Sequence, residues 1–307
     1  MSTSTTSTAS GSKSSRAKVA AGLSVTAVLL ALGIPYLYDL TPPQLVSLVA
    51  DIPVPSYIPK FFGNSTTAPA PNAPFVCDVS HSYKTQLVSV EPLIIYIQDL
   101  ITPIEITALL ETAEPLFAPS TVTKSGRKQH TNDRTSSSAG LPREDPAVQC
   151  VLARTRHFLG TMIRDGWDEM GPPQLVRYTA GQHFNVHHDW YETPRWAPDG
   201  SDRKWNRVAS FFGILQDNCT GGETYFPFAK SIAPPSPLGE KRHGEAWWRE
   251  HEDGGLAFKP VAGNAIFWIN LHSNGTGDPR TNHAGLPLVD GLKTAMNIWP
   301  RHYYAVD

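Results

Sequence analysis

The sequence predicts an α+β domain in which two helices pack outside an antiparallel β-barrel. Three observations carry this expectation. After Gly171 the chain breaks into short apolar runs separated by turns of Gly, Pro and Asp, the spacing of an antiparallel sandwich or barrel. Two stretches with helical periodicity precede those runs. A content of 23 Gly and 27 Pro in 307 residues suits turns and short strands better than a helical bundle.

The charge balance excludes one class of function. Lys plus Arg total 26 against 28 Asp plus Glu, a net charge of −2, so there is no basic face for nucleic acid. Cys77, Cys150 and Cys219 lack the paired spacing of a zinc site. At most one disulfide can form among them, and the spacing does not say which.

Four segments divide the chain. Residues 1–18 are rich in Ser and Thr, with Lys13, Arg16 and Lys18 and no acid. Val19 to Tyr38 is apolar or small, and as a helix it would reach about 30 Å, the thickness of a bilayer core. The basic flank keeps residues 1–18 cytoplasmic, so 19–38 reads as a transmembrane signal anchor. A cleaved signal peptide fits less well, because no small-x-small site follows. The expectation is a single-pass type II protein of the endoplasmic reticulum membrane. Residues 39–74 carry eight prolines from Pro42 to Pro74 and read as an extended stalk. One domain, residues 75–307, then lies in the lumen. Of the sequons at Asn64, Asn218 and Asn274, Asn64 in the stalk is the expected glycan acceptor.

Within the domain, Pro92 to Gln98 is a β-branched apolar run and reads as a buried strand. Thr102-Pro103-Ile104-Glu105 combines an N-cap, a proline at the first helical position and a capping-box glutamate. It starts a helix from Pro103 to Glu114, with Ile106, Leu109 and Leu110 on the inner face. A second helix is predicted from Pro146 to Arg164 on the spacing of Val148, Val151, Leu152, Phe158, Leu159 and Met162. Ser120 to Leu141 between them is polar and reads as a long loop of the lid kind. The strands that follow are predicted at Gln174–Tyr178, His183–His187, Ala209–Leu215, Glu223–Phe226, Ala265–Ile269 and Ala295–Trp299. Ala229 to Gly255, Pro-rich and then charged, reads as a solvated excursion, with a substrate-facing loop as the other reading.

The chemistry concentrates at an H-x-D pair, His187 and Asp189. Two residues apart on one strand, they face the same side and can converge on one ion. A third ligand would complete a facial triad that leaves positions open on Fe(II). His283, far downstream, is the candidate.

The order of Tyr178-Thr-Ala-Gly181, His187-x-Asp189, Gly221-Gly-Glu-Thr224, His283-Ala-Gly285, Gly291-x-Lys293 and Trp299 resembles the catalytic domain of the prolyl 4-hydroxylases. These are Fe(II)/2-oxoglutarate dioxygenases with a double-stranded β-helix (jelly-roll) fold. The resemblance spans about residues 90–303 and includes Arg134-Thr-Ser136. It implies that His187, Asp189 and His283 hold iron. It also implies that Lys293 pairs with the distal carboxylate of 2-oxoglutarate, helped by Tyr178, Thr224 and Trp299. Arg207 matches an arginine close to the bound peptide, at the catalytic site. Phe184 departs from the pattern, since tyrosine is usual there, and this bears on the substrate more than on the reaction. The implied reaction consumes 2-oxoglutarate and O2, with ascorbate as a reductant, and hydroxylates an unactivated C–H bond. C4 of proline in a peptide or protein is the expected target, with succinate and CO2 released. The alternatives are the same chemistry on another peptidyl residue, a free amino acid or a secondary metabolite, and a non-catalytic membrane-tethered binding barrel. A zinc hydrolase using the same three residues would leave Lys293 without a role.

Overall fold

The structure, a computed structural model, describes residues 75–124, 127–129, 131–234 and 246–304. The expected tail, anchor, stalk and Asn64 lie outside these residues. Among the described residues, no helix is long and apolar enough to cross a membrane.

The first elements among the described residues are a hairpin of β1 (Lys84–Ser89) and β2 (Ile94–Gln98), followed by helix α1 (Pro103–Ala113). Short strands β3 (Ala118–Pro119), β4 (Val122–Lys124), β5 (Arg127–Gln129) and β6 (Ser137–Gly140) lead to helix α2 (Pro146–Leu159). Next come β7 (Glu169–Met170), β8 (Gln174–Thr179), β9 (Phe184–His187), β10 (Arg195–Trp196), β11 (Lys204–Arg207) and β12 (Ala209–Gly221). The chain continues through β13 (Thr224–Phe226), β14 (Trp248–Glu250), β15 (Leu256–Phe258) and β16 (Ala265–Ile269). It ends with β17 (His283–Gly285), β18 (Leu288–Ile298) and β19 (Pro300–Tyr303).

Period-two alternation sorts thirteen of these strands into two layers around one barrel, while β10-β11-β19-β7 form a separate four-stranded sheet and β4-β5 a hairpin. The eight-stranded sheet runs β1-β2-β16-β12-β18-β8-β6-β3, and the five-stranded sheet runs β14-β15-β13-β17-β9. Ile94, Tyr96, Val176, Phe212, Ile214, Ile266 and Trp268 project from the large sheet onto Phe226, Trp248, Leu256 and Phe258 of the small one. Their neighbours Ile97, Leu175, Phe211, Leu215 and Phe267 project the other way, onto Leu109, Val148, Val151 and Leu159 of the helices. This is an antiparallel double-stranded β-helix with α1 and α2 outside it. Each large apolar side chain buried here contributes about 1.5–3 kcal/mol.

The helix signals act locally as the sequence suggests. Thr102 Oγ1 accepts from Glu105 N at 3.2 Å, and Glu105 Oε2 accepts from Thr102 N at 2.7 Å. The same buried carboxylate takes a 2.6 Å ion pair from Arg154 of α2, which joins the two helices. Helix α2 stops at Leu159, short of Arg164, because Gly160 leaves the helix at φ 52. Cys77 and Cys150 form a disulfide, Cα–Cα 5.6 Å, so the first residues of the domain are tied to α2. Cys219 lies half-buried on β12.

Two expected loops are corrected. Ser120 to Leu141 is not one structureless loop: β4 pairs with β5, β6 pairs with β8 in the main sheet, and Ser120 N donates to Ser136 O at 2.8 Å. The end of the 229–255 excursion is structural, since Trp247 and Trp248 are buried in the barrel and β14 pairs with β15. Residues 235–245 of that excursion lie outside the described set.

Candidate active site

His187 ends β9 and His283 opens β17, and antiparallel register sets them directly opposite one another. Opposed residues project from the same face, so the rings meet with centroids 4.3 Å apart. Asp189 lies two residues beyond the end of β9 and not on the strand itself. The chain nevertheless turns it inward: it is buried, with Oδ2 3.9 Å from His283 Nε2. One ligand atom from each of the three lies within 4.8 Å of the other two. His188, between them, turns away and stacks on Trp190.

The surroundings prepare three lone pairs. His187 Nδ1–H donates to Asn185 O at 2.8 Å, and His283 Nδ1–H donates to Thr281 O at 3.0 Å. A carbonyl can only accept, so the proton sits on Nδ1 and leaves each Nε2 as a ligand atom. Asp189 Oδ2 accepts from Ser210 Oγ at 2.7 Å and from Trp299 Nε1 at 2.9 Å. Asn270 Nδ2 donates to Ser210 Oγ in turn, at 2.9 Å. Among the described residues nothing donates to Asp189 Oδ1, which stays available to an ion. Burial, then the neighbouring His283, hold the His187 pKa below its ordinary value. Burial raises the Asp189 pKa, but His283, Arg207, His187 and the Trp299 hydrogen bond outweigh it and keep the carboxyl ionised. Two imidazole nitrogens and one carboxylate oxygen are the donor set that suits Fe(II) with open positions.

Lys293 lies on the barrel-facing side of β18, two residues from Ala295, and is buried with 2 % of its surface exposed. Tyr178 of β8 sits opposite it in register. The ammonium donates to Gly222 O at 2.6 Å and lies 5.6 Å and 5.1 Å from the ring centroids of Tyr178 and Phe212. Gly222 adopts φ 69, and a Cβ there would strike the Leu288 side chain, so the close approach needs glycine. No carboxylate among the described residues pairs with Lys293. Burial lowers its pKa to about 8. A buried ammonium with donors to spare fits the distal carboxylate of a diacid. Tyr178 is buried, with its hydroxyl bonded to Ser136, and burial raises its phenol pKa. Thr224 is buried on β13, opposite Gly285.

Trp299 differs from its expected role beside Lys293. Its indole N–H is committed to Asp189, and its ring stacks on the Arg207 guanidinium at 3.8 Å. Arg207 Nη1 donates to Asp189 O at 3.1 Å, and Tyr191 lies 5.0 Å from the same guanidinium. Trp299 and Arg207 therefore brace Asp189 from its outer side. Ser210 and Asn270 were not anticipated. They act on Asp189 from different strands and loops, and no local motif marks them.

The chain is also similar to known proteins. Residues 173–301 match the family described as the 2OG-Fe(II) oxygenase superfamily. The chain is 30 % identical over 223 residues to prolyl 4-hydroxylase 1 of Arabidopsis thaliana, covering 71 % of this chain and 72 % of that protein. It is 29 % identical over 211 residues to prolyl 4-hydroxylase 13 of the same plant, covering 68 % and 71 %. Among solved structures, the viral collagen prolyl hydroxylase vCPH from Paramecium Bursaria Chlorella virus-1, in its 2OG complex, aligns with a TM-score of 0.47. That alignment has 22 % identity and covers 68 % of this chain and 96 % of that one.

Proposed function

The chain belongs to the prolyl 4-hydroxylase family of 2-oxoglutarate- and Fe(II)-dependent dioxygenases, and from that premise we propose that it hydroxylates C4 of proline in a peptide or protein. The observation that carries the reading is the convergence of His187, Asp189 and His283 in one barrel with a buried lysine that no acid pairs among the described residues. Fe(II) and 2-oxoglutarate, when bound, supply the oxidation: with O2 they yield succinate and CO2 and place one oxygen atom in a C–H bond.

The protein contributes binding and orientation. His187 and His283 offer Nε2, and Asp189 offers its free oxygen, while Ser210 and Trp299 keep that carboxylate from rotating. Lys293 takes the far carboxylate of 2-oxoglutarate, with Tyr178 and Thr224 alongside. Such a charged hydrogen bond contributes about 1.5–3 kcal/mol. Arg207 lies beside the iron ligands, where a peptide would enter, and ascorbate serves as reductant. The 19–38 anchor, the glycan at Asn64 and an endoplasmic-reticulum lumen belong to the same proposal. The apolar run supports the anchor, and the Cys77–Cys150 disulfide suits an oxidising compartment.

The test is succinate release from 2-oxoglutarate with Fe(II), with and without a proline-rich peptide, followed by mass spectrometry of the peptide. Peptide-stimulated turnover with one added oxygen on proline is expected. Turnover stimulated only by small molecules moves the acceptor to another class, and no turnover under any condition overturns the reading.

A further inference from the structure

Phe184 and Arg134 stand outside the set of binding residues, yet Phe184 presses on a metal ligand and Arg134 lies over Phe184. The Phe184 ring lies flat against the His187 imidazole, 3.6 Å between centroids and 18° between planes. The Arg134 guanidinium carbon lies 4.9 Å over the same phenyl ring. Among the described residues Arg134 is held in that place by neutral acceptors: Ser138 Oγ at 3.1 Å, Gln174 Oε1 at 3.3 Å, Ser136 Oγ at 3.3 Å and Thr121 O at 3.5 Å. Its backbone neighbours are stitched to β9. Asn185 N donates to Asp133 O at 2.8 Å, and Thr135 N donates to His183 O at 3.2 Å.

The need for such a brace follows from where His187 sits. It is half-buried at the end of a four-residue strand on the edge of the five-stranded sheet. Its Nδ1 bond goes to Asn185, two residues away on the same strand, so that bond restrains one nitrogen without fixing the ring plane against the rest of the barrel. A stacked phenyl removes that freedom, and a cation over the phenyl holds the stack together. His283 has other support, from Phe226 and Trp268 at 5.3 Å and 4.7 Å.

We propose that Phe184, capped by Arg134, is a positioning residue that fixes the plane of His187 as a metal ligand. The inference rests on the reading that His187 ligates the metal, and it adds a source of metal affinity on a segment, Thr131 to Ser136, that carries no ligand. The phenyl does this without a hydroxyl, so the stacking surface, not a hydrogen bond, is the active feature.

The test uses the full chain with Co(II) as a redox-inert probe. Wild type, Phe184→Leu, Phe184→Tyr, Arg134→Met and His283→Ala are titrated by calorimetry and by the visible absorption of cobalt, alongside thermal unfolding of each metal-free protein. Phe184→Leu should weaken cobalt binding about tenfold, the order of effect seen when the outer support of a metal ligand is lost. Phe184→Tyr should bind as wild type does, and Arg134→Met should lose about threefold. A purely structural Phe184 would lower the unfolding temperature and leave cobalt affinity and spectrum unchanged, and that result overturns the proposal. If Phe184→Leu fails to fold, unchanged affinity in Arg134→Met overturns it instead. Cobalt binding that His283→Ala leaves intact overturns the triad reading, and this inference falls with it.

Discussion

Trp299 Nε1 donates to Asp189 Oδ2 at 2.9 Å, so an indole placed between β18 and β19 sets the orientation of a carboxylate in the loop after β9. Trp299→Phe keeps most of the packing against Arg207 and removes the donor. It should weaken divalent-metal affinity about tenfold. At saturating metal, 2-oxoglutarate affinity should stay within twofold of wild type, and calorimetric titrations with Mn(II) separate the two effects.

Lys293 predicts the opposite pattern. Lys293→Ala should leave metal affinity close to wild type and weaken 2-oxoglutarate binding about ten- to a hundred-fold or more. Titration of the Mn(II)-loaded protein with 2-oxoglutarate checks it. Unchanged cosubstrate affinity would remove Lys293 from the site.

The same lysine gives a pH dependence. Its folded pKa of about 8 lies below the 10.5 of an exposed lysine, because burial disfavours the cation. The charge that binds 2-oxoglutarate is therefore full below pH 8 and lost as pH rises through it. Affinity should be flat up to about pH 8 and then fall, by at most about tenfold per unit. In Lys293→Arg the guanidinium stays charged, so whatever affinity it retains should show no break at pH 8.

Much of this arrangement is legible in the sequence wherever the signal is local. The Thr102–Glu105 capping box, the proline-led start of α2 and the strand Ala265–Ile269 are short-range patterns, and each appears where the pattern stands. Half-polar strand ends are harder to read. β12 runs on past Leu215 to Gly221, and β18 starts at Leu288 instead of Ala295. Their outer halves carry Asp217, Asn218, Asp290 and Lys293, which hide the alternation. The three candidate metal-site residues are legible because side-chain chemistry singles them out. The support that Ser210, Asn270 and Trp299 give Asp189 is not, since that partnership is fixed by sheet register between distant segments.

The Cys77–Cys150 bond closes a loop with a sequence separation of 73 and ties the domain's start to α2. Replacing both cysteines by serine should lower unfolding stability by about 4 kcal/mol. Urea denaturation of the metal-free protein measures it. Because the bond lies against the helices and not the barrel interior, metal affinity below the transition should be unchanged.

The central claim is that His187, Asp189 and His283 together hold an Fe(II) ion that 2-oxoglutarate chelates. Anaerobic titration of the Fe(II)-loaded protein with 2-oxoglutarate, followed by visible charge-transfer absorption, tests it directly. Wild type should develop the band at one equivalent of each, and His187→Ala, Asp189→Ala and His283→Ala should each lose it. A band that survives all three substitutions, or one that never forms in the wild type, would contradict the account.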